Sequence, residues 1–137
     1  MNDIALFRLI GSISRQATTD MNQYAATYQL DNNLFLYVIR IVENEGISQS
    51  ELAQLVKIDK TTLSRALKKL EIENYLIRKT NPMNKKFNQL FPTPKAQEIY
   101  QTLHTLESYY IQQALQQLTL EEKQLLNQLL QKINLTN

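Results

Sequence analysis

Between Ser48 and Lys69 the chain spaces hydroxyls and cations at helical intervals around small and branched apolar residues. Thr61, Thr62 and Ser64 offer short hydroxyl donors and acceptors. Lys60, Arg65 and Lys68 offer long cationic ones. Side chains of these types on one exposed helix can bond base edges in a major groove and the phosphates beside it. Gln49 and Ser50 open the preceding helix and join the same candidate DNA-binding set. A second cationic cluster, Asn84-Lys85-Lys86, follows within a turn-rich segment and can reach the adjacent minor groove or its phosphates.

Charge supports this placement. The segment Lys57–Lys95 holds ten of the fifteen basic residues and three of the thirteen acids, a balance of +7, which leaves five bases and ten acids, −5, for the rest. A basic centre between acidic flanks is the footprint of a polyanion-binding region. Charge alone is equally compatible with a solvated helix face.

The elements that must hold these residues follow from pattern. Ile4, Phe7, Ile10, Ser14, Ala17 and Met21 predict a first helix over about Ile4–Met21, with Leu6, Leu9 and Ile13 forming a second apolar stripe. Asn22–Leu30 reads as a connection. Asp31 is expected to cap a second helix carrying Leu34, Tyr37, Val38 and Ile41, which ends near Gly46. Ile47 suits a very short strand. Ser48 and Glu51 form a capping box for a short helix, Gln49–Val56. Lys57-Ile58 is a turn, and Asp59 caps a longer helix to about Glu73. Asn74 fits the left-handed residue after that helix. Tyr75–Lys79 and Phe87–Phe91 predict two strands joined by the turn cluster Asn81–Lys86, a hairpin with Lys85 and Lys86 at its tip. Thr93-Pro94 starts another helix, and Thr119 with Glu122 caps a last one.

The expected fold is therefore mainly α with a small β-hairpin wing, a winged helix-turn-helix. Ala53 is the small residue where the two short helices cross. Leu52, Val56, Ile58, Leu63 and Ala66 supply the apolar groups before, within and after the turn. Residues 1–137 read as one domain: a DNA-binding lobe over 31–94, with helical extensions over 1–21 and 95–137.

Several function classes are disfavoured. The sequence has no cysteine, which excludes disulfides, thiol switches and thiolate metal sites. His104 is the only histidine, so no metal site is expected. No Gly-rich phosphate loop, Ser/His/Asp set or carboxylate pair is present, and neither an enzyme nor a cofactor is expected. No apolar run approaches the ~20 residues of a membrane span, and Met1–Ile13 predicts an amphipathic helix rather than a signal peptide. A cytoplasmic location is expected. A protein-interaction module with a basic face for an acidic partner is the alternative. An RNA-binding winged helix has less support, because no aromatic platform lies on the basic segment.

The stretch Glu51–Arg65 (ELAQLVKIDKTTLSR), with Lys69-Leu70-Glu71, Tyr75-Leu76-Ile77-Arg78 and Thr93-Pro94-Lys95, resembles the MarR family of bacterial regulators. The order of elements is similar over essentially the whole chain. The resemblance implies that Gln49–Val56 supports and Asp59–Glu73 reads the DNA. It implies dimerisation through the first and last two helices, and a homodimer bound to a pseudo-palindromic operator, often as a repressor. It also implies a small, often phenolic or anionic, effector, for which Tyr24, Tyr28 and Tyr37 are the candidate contacts. The family's wing commonly carries Asp-x-Arg, where this chain has Asn84 and Lys86. Lysine lacks the planar fork of arginine, so the wing is expected to contact phosphates more than to read bases. Asn74 and Ala96 stand where the family usually has glycine.

Overall fold

The computed structural model describes residues 1–135, and for Lys85, Lys86 and Phe87 the backbone alone. Among the described residues nine elements follow one another: α1 (Asp3–Ala26), α2 (Leu34–Glu43), β1 (Ile47–Ser48), α3 (Gln49–Val56), α4 (Lys60–Ile72), β2 (Leu76–Asn81), β3 (Asn84–Pro92), α5 (Pro94–Ala114) and α6 (Leu120–Gln131). The strands form one antiparallel sheet in the order β1-β3-β2. The mainly helical class with a hairpin wing is as the sequence predicts. The chain divides into two compact units, Met1–Thr105 and Leu106–Asn137.

In the first unit, α1 runs to Ala26, through the segment expected to be a connection. Asn22–Ala26 holds no Gly or Pro to break a helix. Met21 and Ala25, four residues apart, are both buried and draw this last stretch onto the core. The start of α2 also differs from expectation. Its N-cap is Asn33, in a left-handed conformation (φ 66°) and with no capping bond from its own side chain. The partner comes from α1: Asn22 Oδ1 accepts from the Asn33 N–H at 2.9 Å, and Asn22 Nδ2 donates to Asn33 Oδ1 at 2.9 Å. Asp31 does not cap the helix.

Helix α2 is the centre of the core, burying Leu34, Phe35, Tyr37, Val38, Ile39 and Ile41. Around it lie Leu52, Leu63, Leu67, Leu70, Leu76, Leu90 and Leu103, all buried. Gly46 takes φ 87°, a conformation open to a residue without Cβ. Its N–H donates to Leu90 O at 2.8 Å and brings β1 beside β3.

The wing pairs Leu76 with Pro92 through Thr80 with Asn88 in regular register, then slips so that Asn81 faces Asn84. Its turn is therefore Pro82-Met83, not the longer Asn81–Lys86 cluster. Lys85 and Lys86 belong to β3 rather than to the tip. The strand begins early because Asn81 stabilises the tight turn: its Oδ1 accepts from the Met83 N–H at 2.9 Å.

The second unit contains the end of α5 and α6. Thr119 and Glu122 form the expected capping box, with bonds of 2.9 and 3.1 Å. No residue of α6 is buried. Leu126, Leu129, Leu130 and Ile133 make an apolar stripe at helical spacing, exposed throughout.

Candidate nucleic-acid interface

The helix-turn-helix is built by local bonds that the sequence dictates. Ser48 Oγ accepts from the Glu51 N–H, and Glu51 Oε1 accepts from the Ser48 N–H, both at 3.1 Å. This reciprocal cap starts α3. Lys57 ends it in a left-handed conformation (φ 58°), which lets the Ile58 N–H donate to Ala53 O at 3.2 Å. The chain then turns into α4, whose first turn is capped by Asp59: Oδ2 accepts from the Thr62 N–H at 2.9 Å. Leu52 of α3 and Leu63 and Leu67 of α4 are fully buried and fix the inner face.

With those leucines inward, Lys60, Thr61, Thr62, Ser64, Arg65 and Lys68 are all exposed. The structure thus brings six of the candidate residues onto one helix, outside the core. Among the described residues none makes a hydrogen bond or ion pair with the side chain of Lys60, Arg65 or Lys68. Gln49 and Ser50 open α3 and are half-buried. Ser50 borders an open hollow of about 390 Å³ between α3 and the wing, with Ser48, Glu51, Gln54 and Asn81. Asn84 is exposed at the start of β3. The side chains of Lys85 and Lys86 lie outside the described residues.

The end of α4 is fastened to the start of α5. Asn74 is left-handed (φ 65°), and the Tyr75 N–H returns to Leu70 O at 2.8 Å. Thr93 Oγ1 donates to Asn74 O at 2.7 Å and accepts from the Ala96 N–H at 3.2 Å, while the Thr93 N–H donates to Tyr75 O at 3.1 Å. Lys95 Nζ donates to Glu73 O at 2.8 Å and stands 4.4 Å from the centre of the Tyr75 ring. Sequence reading had no signal for this second role of Thr93 or for Lys95, because their partners lie about twenty residues away.

The hydrogen bonds of the two caps also set protonation. The Ser48 backbone and side chain hold the Glu51 carboxyl below its ordinary value, and the Thr62 backbone does the same to Asp59. The native state therefore binds protons less readily than the unfolded chain at these two groups. Their contribution to stability is full above the ordinary carboxylate range and is lost as pH falls through and below it. Asp59→Asn retains a capping oxygen that cannot titrate. Its melting temperature is expected to depend less on pH than the wild type's over that range, measured by circular dichroism.

A second hollow, of about 330 Å³, lies in the first unit between the α1–α2 connection and the end of α4. Tyr28, Asp31, Leu34, Lys69, Glu73 and Tyr75 are among its walls. Of the three candidate effector tyrosines only Tyr28 lines it. Tyr24 is exposed on α1. Tyr37 is a core residue, 1% exposed, and burial pushes its hydroxyl above the usual tyrosine value. Its aromatic ring completes the apolar face of α2, which overrides the sequence expectation of a ligand contact.

Among the described residues no group of three or more His, Asp or Glu side chains could hold a metal ion. No helix among them is long and apolar enough to cross a membrane.

Compared with known proteins, the chain is 38% identical over 133 residues to YybA, an uncharacterized HTH-type transcriptional regulator of Bacillus subtilis (strain 168), covering 97% of this chain and 87% of that one. The MarR family model matches residues 30–86, the segment from just before α2 into the wing. Among solved structures, a Listeria monocytogenes protein assigned as a MarR family transcriptional regulator, complexed with 26mer DNA, superposes with a TM-score of 0.89 and 39% identity. It covers 96% of this chain and 87% of that one. The chain belongs to the MarR family. A MarR protein from Peptoclostridium difficile superposes with a TM-score of 0.87 and 31% identity, over 96% and 86%. As a MarR protein, the chain is a transcriptional regulator of the winged-helix type.

Proposed function

We propose that this MarR-family chain is a homodimeric repressor that binds a pseudo-palindromic operator in the cytoplasm. The observation that carries the reading is the exposed hydroxyl and cation face of α4, held outward by Leu63 and Leu67. The DNA complex of the Listeria relative, which shares the fold over nearly the whole chain, supports it. Each α4 enters a major groove, the two about one helical turn (~34 Å) apart. Lys60, Thr61, Thr62, Ser64, Arg65 and Lys68 face the bases and flanking phosphates. Gln49, Ser50 and the wing residues Asn84, Lys85 and Lys86 contact the backbone.

The apolar stripes of α1 and α6 support dimerisation. Ile4, Leu6, Phe7, Leu9 and Ile13 on α1 are exposed, as are the α6 leucines, and apolar surface of this extent on two helices calls for cover. The helical extensions 1–21 and 95–137 are accordingly the proposed dimerisation region, and 31–94 the DNA-binding lobe. A small aromatic effector is assigned to the hollow at Tyr28, where Asp31 and Glu73 beside Lys69 disfavour an anion and a bound ring would press on the end of α4.

Selection of bound sites from a random duplex library, followed by footprinting, tests the function. A palindromic protected site is the expected result. Binding that is insensitive to duplex sequence and salt would favour an acidic protein partner instead. Arg65→Ala is expected to weaken binding to the selected site by about 1–3 kcal/mol if the side chain reads a base. A gel-shift titration that shows no loss would remove Arg65 from the site.

A further inference from the structure

Arg78 lies on β2 within the basic centre, yet its charge is used inside the protein. Nη1 donates to Gln49 Oε1 on the first turn of α3 at 2.7 Å. Nε donates to Glu71 Oε1 on the last turn of α4 at 3.4 Å, where the two also form an ion pair. One guanidinium therefore joins the wing, the supporting helix and the helix proposed to read DNA. In this ion pair the Arg78 side chain is 21% exposed and that of Glu71 42%.

The fork geometry matters. A guanidinium presents N–H donors in fixed directions, so it can hold acceptors on two helices at once; a lysine ammonium is a point charge on a flexible stem. On the same strand Leu76 is buried, and Lys79 stands 4.9 Å from the centre of the Phe91 ring. By taking Gln49 Oε1, Arg78 leaves the amide Nε2 as the group that Gln49 can offer to a phosphate.

We propose that Arg78 is a positioning residue: it ties β2 to α3 and α4 and thereby sets the orientation of the wing and of Gln49 relative to the reading helix. The inference rests on the DNA-binding reading, and goes beyond it by assigning a basic residue of the centre to alignment rather than to contact.

The test measures affinity for the library-selected duplex across a salt series, with thermal melting of each variant. The wild type, Arg78→Ala, Arg78→Lys, Glu71→Ala and the Arg78→Ala/Glu71→Ala double variant are compared. Arg78→Ala is expected to bind on the order of ten-fold more weakly, the scale of a part-exposed charged hydrogen bond. Its slope of log affinity against log salt should stay that of the wild type, because no phosphate contact is lost. Arg78→Lys should not restore affinity. Glu71→Ala should also bind more weakly, although removing an acid beside a polyanion would by charge alone strengthen binding. The double variant should be no weaker than the weaker single one.

A salt slope reduced by about 0.9 per arginine marks a phosphate contact and overturns the proposal. So does restoration by lysine, tighter binding by Glu71→Ala, or unchanged affinity in Arg78→Ala. Should Arg78→Ala melt below the assay temperature, the sign of the Glu71→Ala effect decides. A wild type that binds no duplex overturns the DNA-binding reading, and the proposal with it.

Discussion

Leu129→Glu is expected to convert the proposed homodimer to monomers and to lower operator affinity by about 10²-fold or more. Leu129 is 50% exposed in the chain and lies on the stripe with Leu126, Leu130 and Ile133. A glutamate there would be carried into the proposed subunit interface without a partner, and burying an unpaired charge is costly. The loss at the operator is larger than the interface defect suggests. Two half-sites on one duplex bind a linked pair of lobes far more tightly than separate ones, because the second contact becomes intramolecular. Sedimentation equilibrium reads the first effect and a gel shift the second. A dimer that persists in this variant would place the interface elsewhere. A monomer with undiminished affinity would remove the need for two lobes.

The second large effect concerns the core beneath the proposed reading face. Leu63 is fully buried, three residues after Lys60 and two before Arg65. Leu63→Ala removes packed methyl groups and leaves a cavity, which costs about 2–5 kcal/mol. For a domain whose total stability is on the order of 5–15 kcal/mol, that is a large share. The melting temperature is expected to fall by roughly 6–15 °C at equal protein concentration, a condition that matters because association shifts apparent stability. DNA affinity should fall with it, since α4 is aimed by this contact. A change under 1 °C by calorimetry would mean that the lobe repacks freely around the site.

What the sequence made legible divides by the reach of each interaction. The boxes Ser48/Glu51 and Thr119/Glu122 close within three residues, and both form as their spacing predicts. Asp59 caps α4, and Asn74 takes the left-handed conformation expected after it. These positions fix where α3 and α4 start and stop, and with them the six outward side chains of α4. The misread features depend on distant partners. The cap of α2 comes from Asn22, eleven residues before Asn33. The extension of α1 to Ala26 follows from core burial of Ala25, which helical periodicity over the first half does not reveal. Arg78 meets Gln49 across twenty-nine positions, and nothing local distinguishes it from the other cations of the basic centre. Tyr37 was expected at a ligand because a tyrosine hydroxyl suits one, but α2 needs the ring inside.

The fastening at Asn74, Tyr75 and Thr93 bears on how such a chain can diverge. These bonds join the two roots of the wing, so everything from β2 to β3 is an excursion whose ends are already pinned together. Residues inserted or deleted near Pro82-Met83 would lengthen or shorten a finger without tilting α4 or shifting the start of α5. Surface hairpin tips tolerate such changes at small entropic expense. The reach of the finger along DNA is thereby separable from the alignment of the helix, and descendants of this fold can alter one while inheriting the other intact.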